Sequence, residues 1–255
     1  MGTRDAYEAG TPCWVDVAVD DVGGATSFYR QLFGWEPEAS EVDGVTIYTN
    51  LRLDGSLVAG LSGKMGQPMP DAWSLYVATD DVAATLAAVT GAGGQVMVGP
   101  EDVPGGAGTF GVFADPNGAI CGAWRAGNHH GAGLVNEPGT FVWNELASPD
   151  IDRSVAFYTS VFGWEATPSD GGDGTIFRDG TGRELCGAHP AGPGEPTFWS
   201  IWFAVEGCDS TVARVGELGG QVLMAPTDMS FGRGAVVAAP GGAAFGVAAM
   251  VDADD

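Results

Sequence analysis

"SFYRQLFGWE" at 27–36 and "AFYTSVFGWE" at 156–165 are nearly the same phrase, set 129 residues apart in a chain of 255. A second pair, "GGQV" at 93–96 and again at 219–222, keeps almost the same spacing, so the chain consists of two halves built on one plan. Inside the phrase, Phe28, Tyr29, Leu32 and Phe33 recur at i, i+1, i+4 and i+5, an apolar stripe along one helical face. Gly34 is placed to end that helix in a left-handed turn, and Trp35 to fold back onto the core. Phe157, Tyr158, Val161, Phe162, Gly163 and Trp164 repeat the arrangement. No group in the phrase is assignable to chemistry; its use is as a ruler.

Working outward, "CWVDVAVDD" (13–21) reads as a strand before the helix, with Trp14, Asp16 and Ala18 on one side and Val15, Val17 and Val19 on the other. Short β-like runs follow at 45–51 and 57–62, parted by the turn signal "LDGS". The order then restarts: strand "AWSLYVATD" (72–80), alanine-rich helix at 81–94, then "QVMV", "GTFGVFADP" and "AICGAW". "RAGNHHGAGLVNEPG" (125–139) lacks periodicity and reads as a linker. Beyond it the plan recurs, with strands at 141–150 and 198–206, helices in "IDRSVAFYTSVFGWE" (151–165) and at 211–222, and a last hairpin at 235–249. The economical description is four βαβββ units in tandem: domain one over 1–124, linker 125–139, domain two over 140–255.

Composition bounds the function. With 33 acidic against 10 basic residues the formal charge is −23, which repels phosphate backbones and anionic lipid surfaces, so nucleic acid and membrane are poor partners. The first residues lack a secretory pattern and no long apolar run exists, so a cytoplasmic location is the expectation. The four cysteines lie far apart, as free or buried thiols do. P-loop, GxSxG and dinucleotide patterns are absent, and nothing supports a nucleotide cofactor.

Paired βαβββ units, "FY..LFGW" closing the first helix and "DPNG" (115–118) before the last strand of the first half resemble the vicinal oxygen chelate superfamily, which includes glyoxalase I, bleomycin-resistance proteins and extradiol dioxygenases. The resemblance implies an α+β fold, two glyoxalase-like domains with cup-shaped curved mixed sheets. It also implies where a divalent metal would be held. The first ligand position falls at Trp14 and Trp143. The mid-domain position falls near Trp73 and Trp199, or at the adjoining Ser74 and Ser200, and the terminal Glu position at Gly122 and Gly246. Indole and glycine offer no lone pair to a metal, so neither half keeps the chelate and no cofactor is expected.

An acid follows each first-strand tryptophan by two residues, Asp16 after Trp14 and Glu145 after Trp143. Strand alternation turns indole and carboxyl to one face, which by the family's geometry is the cup. A carboxyl facing an apolar cup has its pKa raised by desolvation and can serve as general acid or base. It can equally anchor a ligand hydroxyl or amine, or merely accept structural hydrogen bonds. Trp14, Trp73, Trp143 and Trp199 either fill the core or wall a pocket for a flat aromatic molecule, with Gly122 and Gly246 leaving room for it. Tyr48 lies on a strand that could reach the cup. His129 and His130 are expected at the surface, and His189 in a structural role.

Two functions follow from these residues. One is a metal-free protein that binds a small aromatic or hydrophobic molecule, in sequestration, antibiotic resistance or an accessory biosynthetic role. The other is a metal-independent isomerase, cyclase or hydrolase using Asp16 or Glu145. A metal-dependent lyase or dioxygenase ranks third. A monomer and a homodimer are both compatible with the repeat.

Overall fold

The computed structural model of the chain describes residues 2–42, 45–64, 69–169 and 173–250. Four βαβββ units follow one another. The first is β1 (Pro12–Val19), α1 (Val22–Phe33), β2 (Glu36–Val42), β3 (Val45–Leu53) and β4 (Ser56–Gly63). The second is β5 (Ala72–Ala78), α2 (Val82–Gly91), β6 (Gln95–Val103), β7 (Gly108–Ala114) and β8 (Ile120–Ala126). The third is β9 (Phe141–Ser148), α3 (Ile151–Phe162), β10 (Glu165–Pro168), β11 (Thr175–Arg178) and β12 (Glu184–Pro190). The fourth is β13 (Phe198–Ala204), α4 (Cys208–Glu217), β14 (Gln221–Met229), β15 (Gly232–Ala238) and β16 (Ala244–Met250).

Each half forms its own 8-stranded mixed sheet, in the orders β2-β3-β4-β1-β5-β8-β7-β6 and β10-β11-β12-β9-β13-β16-β15-β14. In every unit the first strand runs parallel to the last, and the two units of a half join antiparallel through their first strands, β1 with β5 and β9 with β13. The α+β architecture of two curled sheets is the one the family resemblance implies.

The repeated helices start and stop where their residues dictate. Asp21 accepts from Gly24 N at 2.9 Å and Asp150 from Arg153 N at 3.0 Å, satisfying amides that a helix start leaves free. Gly34 (φ 76°) and Gly163 (φ 71°) take the left-handed conformation that ends each helix. The tryptophan that follows then crosses to the other half. Trp35 Nε1 donates to the Gly139 carbonyl at 2.8 Å and Trp164 Nε1 to the Gly10 carbonyl at 2.7 Å, each just ahead of the opposite half's first strand. Phe28 and Phe33 pack on Phe245 and Phe203 of the second sheet, while Phe157 and Phe162 pack on Phe113 of the first. The phrase that revealed the repeat is therefore also what fastens the halves together.

Three local expectations differ from the structure. β2 and β10 carry weak signals in the sequence, since "EPEASEV" and "EATP" are polar, largely exposed strands without an alternating apolar face, and β11 is a four-residue strand too short to show a period. α4 begins at Cys208, ahead of the expected Thr211, with Gly207 as its cap residue. The segment after β8 is not a free tether: Ala132 N donates to the Cys13 carbonyl (2.9 Å) and Gly133 N to the Leu57 carbonyl (2.7 Å), and Ala132 and Val135 are buried. All four cysteines are buried free thiols, and no described helix is long and apolar enough to cross a membrane.

Candidate functional site

The face of each sheet turned away from the helices is set by strand register. In the first half Trp14 lies opposite Tyr76 and Asp16 opposite Ser74, so these four share the concave face. In the second, Trp143 lies opposite Trp202 and Glu145 opposite Ser200. The same register turns Trp73 and Trp199 to the other side. Trp73 packs edge-on to Tyr29 at 5.4 Å and to Phe203 at 5.0 Å, and Trp199 Nε1 donates to Tyr158 Oη at 2.9 Å. The expectation that Trp73 and Trp199 wall the cup is therefore corrected: they sit one residue out of phase, in the helix-facing core, and Ser74 and Ser200 face the cup.

Gly122 and Gly246 also need correction. A side chain at Gly122 would collide with the ring of Tyr76, and one at Gly246 with the indole of Trp202. The room these glycines leave is taken by an aromatic ring from the adjacent strand, not held open for a ligand. Sequence reasoning missed Tyr76 and Trp202, although two-residue alternation from Ser74 and Ser200 points to both.

In the first cup the polar groups satisfy one another. Trp14 Nε1 donates to Tyr48 Oη (2.9 Å), and Tyr48 Oη donates to Asp16 Oδ2 (3.1 Å), with Tyr48 lying over Gly60. Trp14 is 4% exposed and Asp16 9%. Burial pushes the Asp16 carboxyl up to about 6, a shift only partly offset by the Tyr48 and Tyr76 hydroxyls. His129 does not lie on the surface. It stands edge-on to Trp14 at 4.4 Å and packs on Trp124 at 5.4 Å, its Nδ1 accepting from Gly131 N. Burial, then the neighbouring His130, lowers its pKa to about 4, so it is a neutral wedge at neutral pH.

The second cup is more open. Trp143 Nε1 donates to Glu145 Oε2 at 2.8 Å, and Glu145 lies over Gly187. Glu145 Oε1 is 3.6 Å from His189 Nδ1, and His189 Nε2 is 3.3 Å from Glu195 Oε1. The side chains of Glu145 and His189 keep 26% and 39% of their surface. The Glu145 carboxylate, opposed by partial burial and seconded by Glu195, raises the His189 pKa above its usual value. Trp202 and Phe231, both part-exposed, meet edge-on at 6.0 Å, and Trp202 Nε1 donates to Ser200 Oγ at 3.1 Å. Glu195 and Phe231 come from loops that alternation does not assign to the cup, whereas His189 shares the cup face of β12 with Gly187, two residues before it.

The divalent metal held by chelating members of such folds does not fit these residues. Its expected positions carry Trp14, Ser74 and Gly122 in one half and Trp143, Ser200 and Gly246 in the other. His189 meets its two carboxylates through opposite ring nitrogens, so the three groups do not converge on one point. Among the described residues no three His, Cys, Asp or Glu side chains are grouped to hold a metal ion.

The chain can be set beside known proteins. The family model of the Glyoxalase/Bleomycin resistance protein/Dioxygenase superfamily matches residues 13–120 and again 140–247. A Mycobacterium tuberculosis protein named "Putative glyoxylase CFP32" is 40% identical, with 97% of each chain covered. The anthracycline biosynthesis protein DnrV of Streptomyces peucetius is 35% identical, with 94% of each covered. Among solved structures, the Mn(II)-bound glyoxalase from Novosphingobium aromaticivorans aligns with a TM-score of 0.66 at 19% identity, over 97% of this chain and 85% of that one; this is a likeness of fold. Matched once per half across most of its length, the chain belongs to the Glyoxalase/Bleomycin resistance protein/Dioxygenase superfamily.

Proposed function

We propose that the protein binds a small aromatic or hydrophobic molecule in its second cup, without a metal. The observation that carries this reading is the pair of part-exposed indoles, Trp143 and Trp202, on a concave face whose ligand positions hold no metal donors. Such rings add stacking and edge contacts to area burial, and Glu145 beside them can accept from a hydroxyl or amine. Relatives named for anthracycline biosynthesis support a planar polycyclic ligand, and a role in sequestration, resistance or biosynthetic assistance. The buried free thiols are in keeping with a reducing cytoplasm, and the protein acts as a monomer or homodimer.

The test is tryptophan fluorescence titrated with an anthracycline aglycone. Saturable quenching that falls at least tenfold in affinity in Trp143→Ala, with the aglycone recovered unchanged, is the expected result. Equal affinity in wild type and variant would remove the second cup from the proposal.

A second reading rests on Glu145 and His189. A carboxylate beside a half-exposed imidazole is an arrangement suited to proton transfer, and a metal-independent isomerase, cyclase or hydrolase would use it. Conversion of the aglycone that stops in Glu145→Gln while binding persists would select this reading. For Asp16, the 9% exposure leaves a structural role inside the first cup as the better supported one.

A further inference from the structure

Two equivalent contacts join the halves, and the chain's own side chains fill only one. In the filled contact, the turn Asp115-Pro116-Asn117-Gly118 between β7 and β8 reaches the start of α3. Asn117 Nδ2 donates to Ser148 Oγ (3.1 Å), to the Asp150 carbonyl (3.0 Å) and to Ser154 Oγ (3.0 Å), and Tyr158 Oη donates to Asp115 Oδ2 (3.3 Å). In the twin contact, the turn Ala239-Pro240-Gly241-Gly242 between β15 and β16 faces the start of α1. There Gly241 stands in the place of Asn117, Val19 in that of Ser148, Ala25 in that of Ser154 and Ala239 in that of Asp115. A cavity of about 270 Å³ opens in consequence, bounded by Asp21, Phe28, Gln31, Asp71, Leu218 and Pro240.

Its polar wall combines the Asp21 and Asp71 oxygens with the Ser27 hydroxyl and the Gln31 amide, whose Nε2 is already spent on the Ser27 carbonyl and hydroxyl. The Asp71 side chain is 6% exposed. The bonds described at Asp71, from Lys64 Nζ (2.8 Å) and Asp20 N (3.1 Å), land on Oδ1. Oδ2 is turned toward Gly241, where any side-chain carbon would collide with it. The Asp21 carbonyl is the counterpart of the Asp150 carbonyl that takes the Asn117 amide. Lys64 pairs with Asp20 and Asp71 together, so this corner keeps an excess of negative charge once Asp21 is included. The opposite wall is apolar: Phe28, Leu218 and Pro240.

We propose that this cavity between the halves is a binding site for a small organic cation, a primary ammonium on a short apolar body. The ammonium lies beside Asp71 Oδ2, which stands where a side chain on Gly241 would begin, and donates to it and to the Asp21 carbonyl, while the body lies on Phe28, Leu218 and Pro240. The site is separate from both cups and does not depend on what they bind.

The test uses benzylammonium as probe and benzyl alcohol as its neutral counterpart, followed by amide NMR shifts on the full chain. Saturable shifts at Asp21, Gly24, Leu218 and Gly241 are expected with benzylammonium, and at least tenfold weaker binding with the alcohol. Ala25→Leu, which projects three further carbons into the cavity, should weaken binding at least tenfold, and Asp71→Asn should weaken it about tenfold. No saturable shifts at these amides, equal binding of the alcohol, or binding unchanged in Ala25→Leu would each overturn the proposal. The wild-type titration decides the matter even if a variant fails to fold.

Discussion

The first cup keeps its polar groups to itself, whereas the second presents them to the outside, and both are built on the same strand register. Asp16 and Glu145 occupy equivalent positions, opposite Ser74 and Ser200 and beside Gly60 and Gly187. What differs is the neighbouring strand. Thr49 opposite Leu61 corresponds to Thr175 opposite Ala188, so the place of Tyr48 in the first half falls to Gly174 in the second. With the tyrosine, Asp16 and Trp14 are bridged and buried, and His129 from the segment after β8 closes over the indole. Without it, the longer Glu145 side chain covers Gly187 itself and reaches Trp143 on one side and His189 on the other. One missing phenol thus divides a duplicated scaffold into a packed half and an accessible half.

The comparison breaks most visibly on the two first-strand tryptophans. Trp14 is core, so Trp14→Ala should cost about 3–5 kcal/mol of stability in urea denaturation, as deletion of a large buried ring does. Trp143 is part-exposed, and Trp143→Ala should cost less than half of that, roughly 1–2 kcal/mol, while losing ligand affinity. Equal losses of stability would mean that the second cup is as closed as the first.

Asp16 offers a sharper test through pH. Burial pushes its carboxyl up to about 6 in the folded state, against the usual 3.8, so the folded state holds the proton more tightly. The resulting stability is fully present below pH 3.8 and is lost as the pH rises through 6. The span of the shift corresponds to about 3 kcal/mol at most. Asp16→Asn removes this slope, so the stability gap between variant and wild type should move in the variant's favour between pH 4 and pH 7. A gap that stays constant across that range would show that burial does not hold the Asp16 proton in the folded state.

Part of this architecture is legible in the sequence because it is decided by local chemistry. The helix stripes, the glycine stops and the order of units were legible because each depends on local chemistry and recurs at a fixed spacing. Trp14 with Asp16, and Trp143 with Glu145, were legible for the same reason, since alternation along one strand decides them. Trp73 and Trp199 were misplaced because their side depends on the pairing of β5 with β1 and of β13 with β9, where a shift of one residue exchanges the faces. Tyr76 over Gly122 and Trp202 over Gly246 are contacts between strands, and no single strand announces them. His129 comes from an irregular stretch, where neither periodicity applies, while the side of His189 follows from Gly187 only once the pairing of β12 with β9 is known.

The smallest expected effect concerns His189, and it separates a paired histidine from an incidental one. Glu145 contributes most to holding its pKa above 6.5, with Glu195 on the opposite nitrogen contributing less. In Glu145→Gln the imidazole loses that charge, so its titration, followed by the ring-proton NMR shift, should move down toward the unperturbed value, and Glu195→Gln should move it less. Any stability the pair supplies is fully present below pH 6.5 and is lost as the pH rises through the folded value, because the folded pKa is the higher one. With 39% of the ring exposed, solvent screening keeps that contribution small. His129, lowered to about 4 by burial in the first cup, provides the internal contrast: its titration should not respond to Glu145→Gln at all. A His189 shift that ignores Glu145 would leave the carboxylate free for ligand alone and remove the pair that supports proton transfer in the second cup.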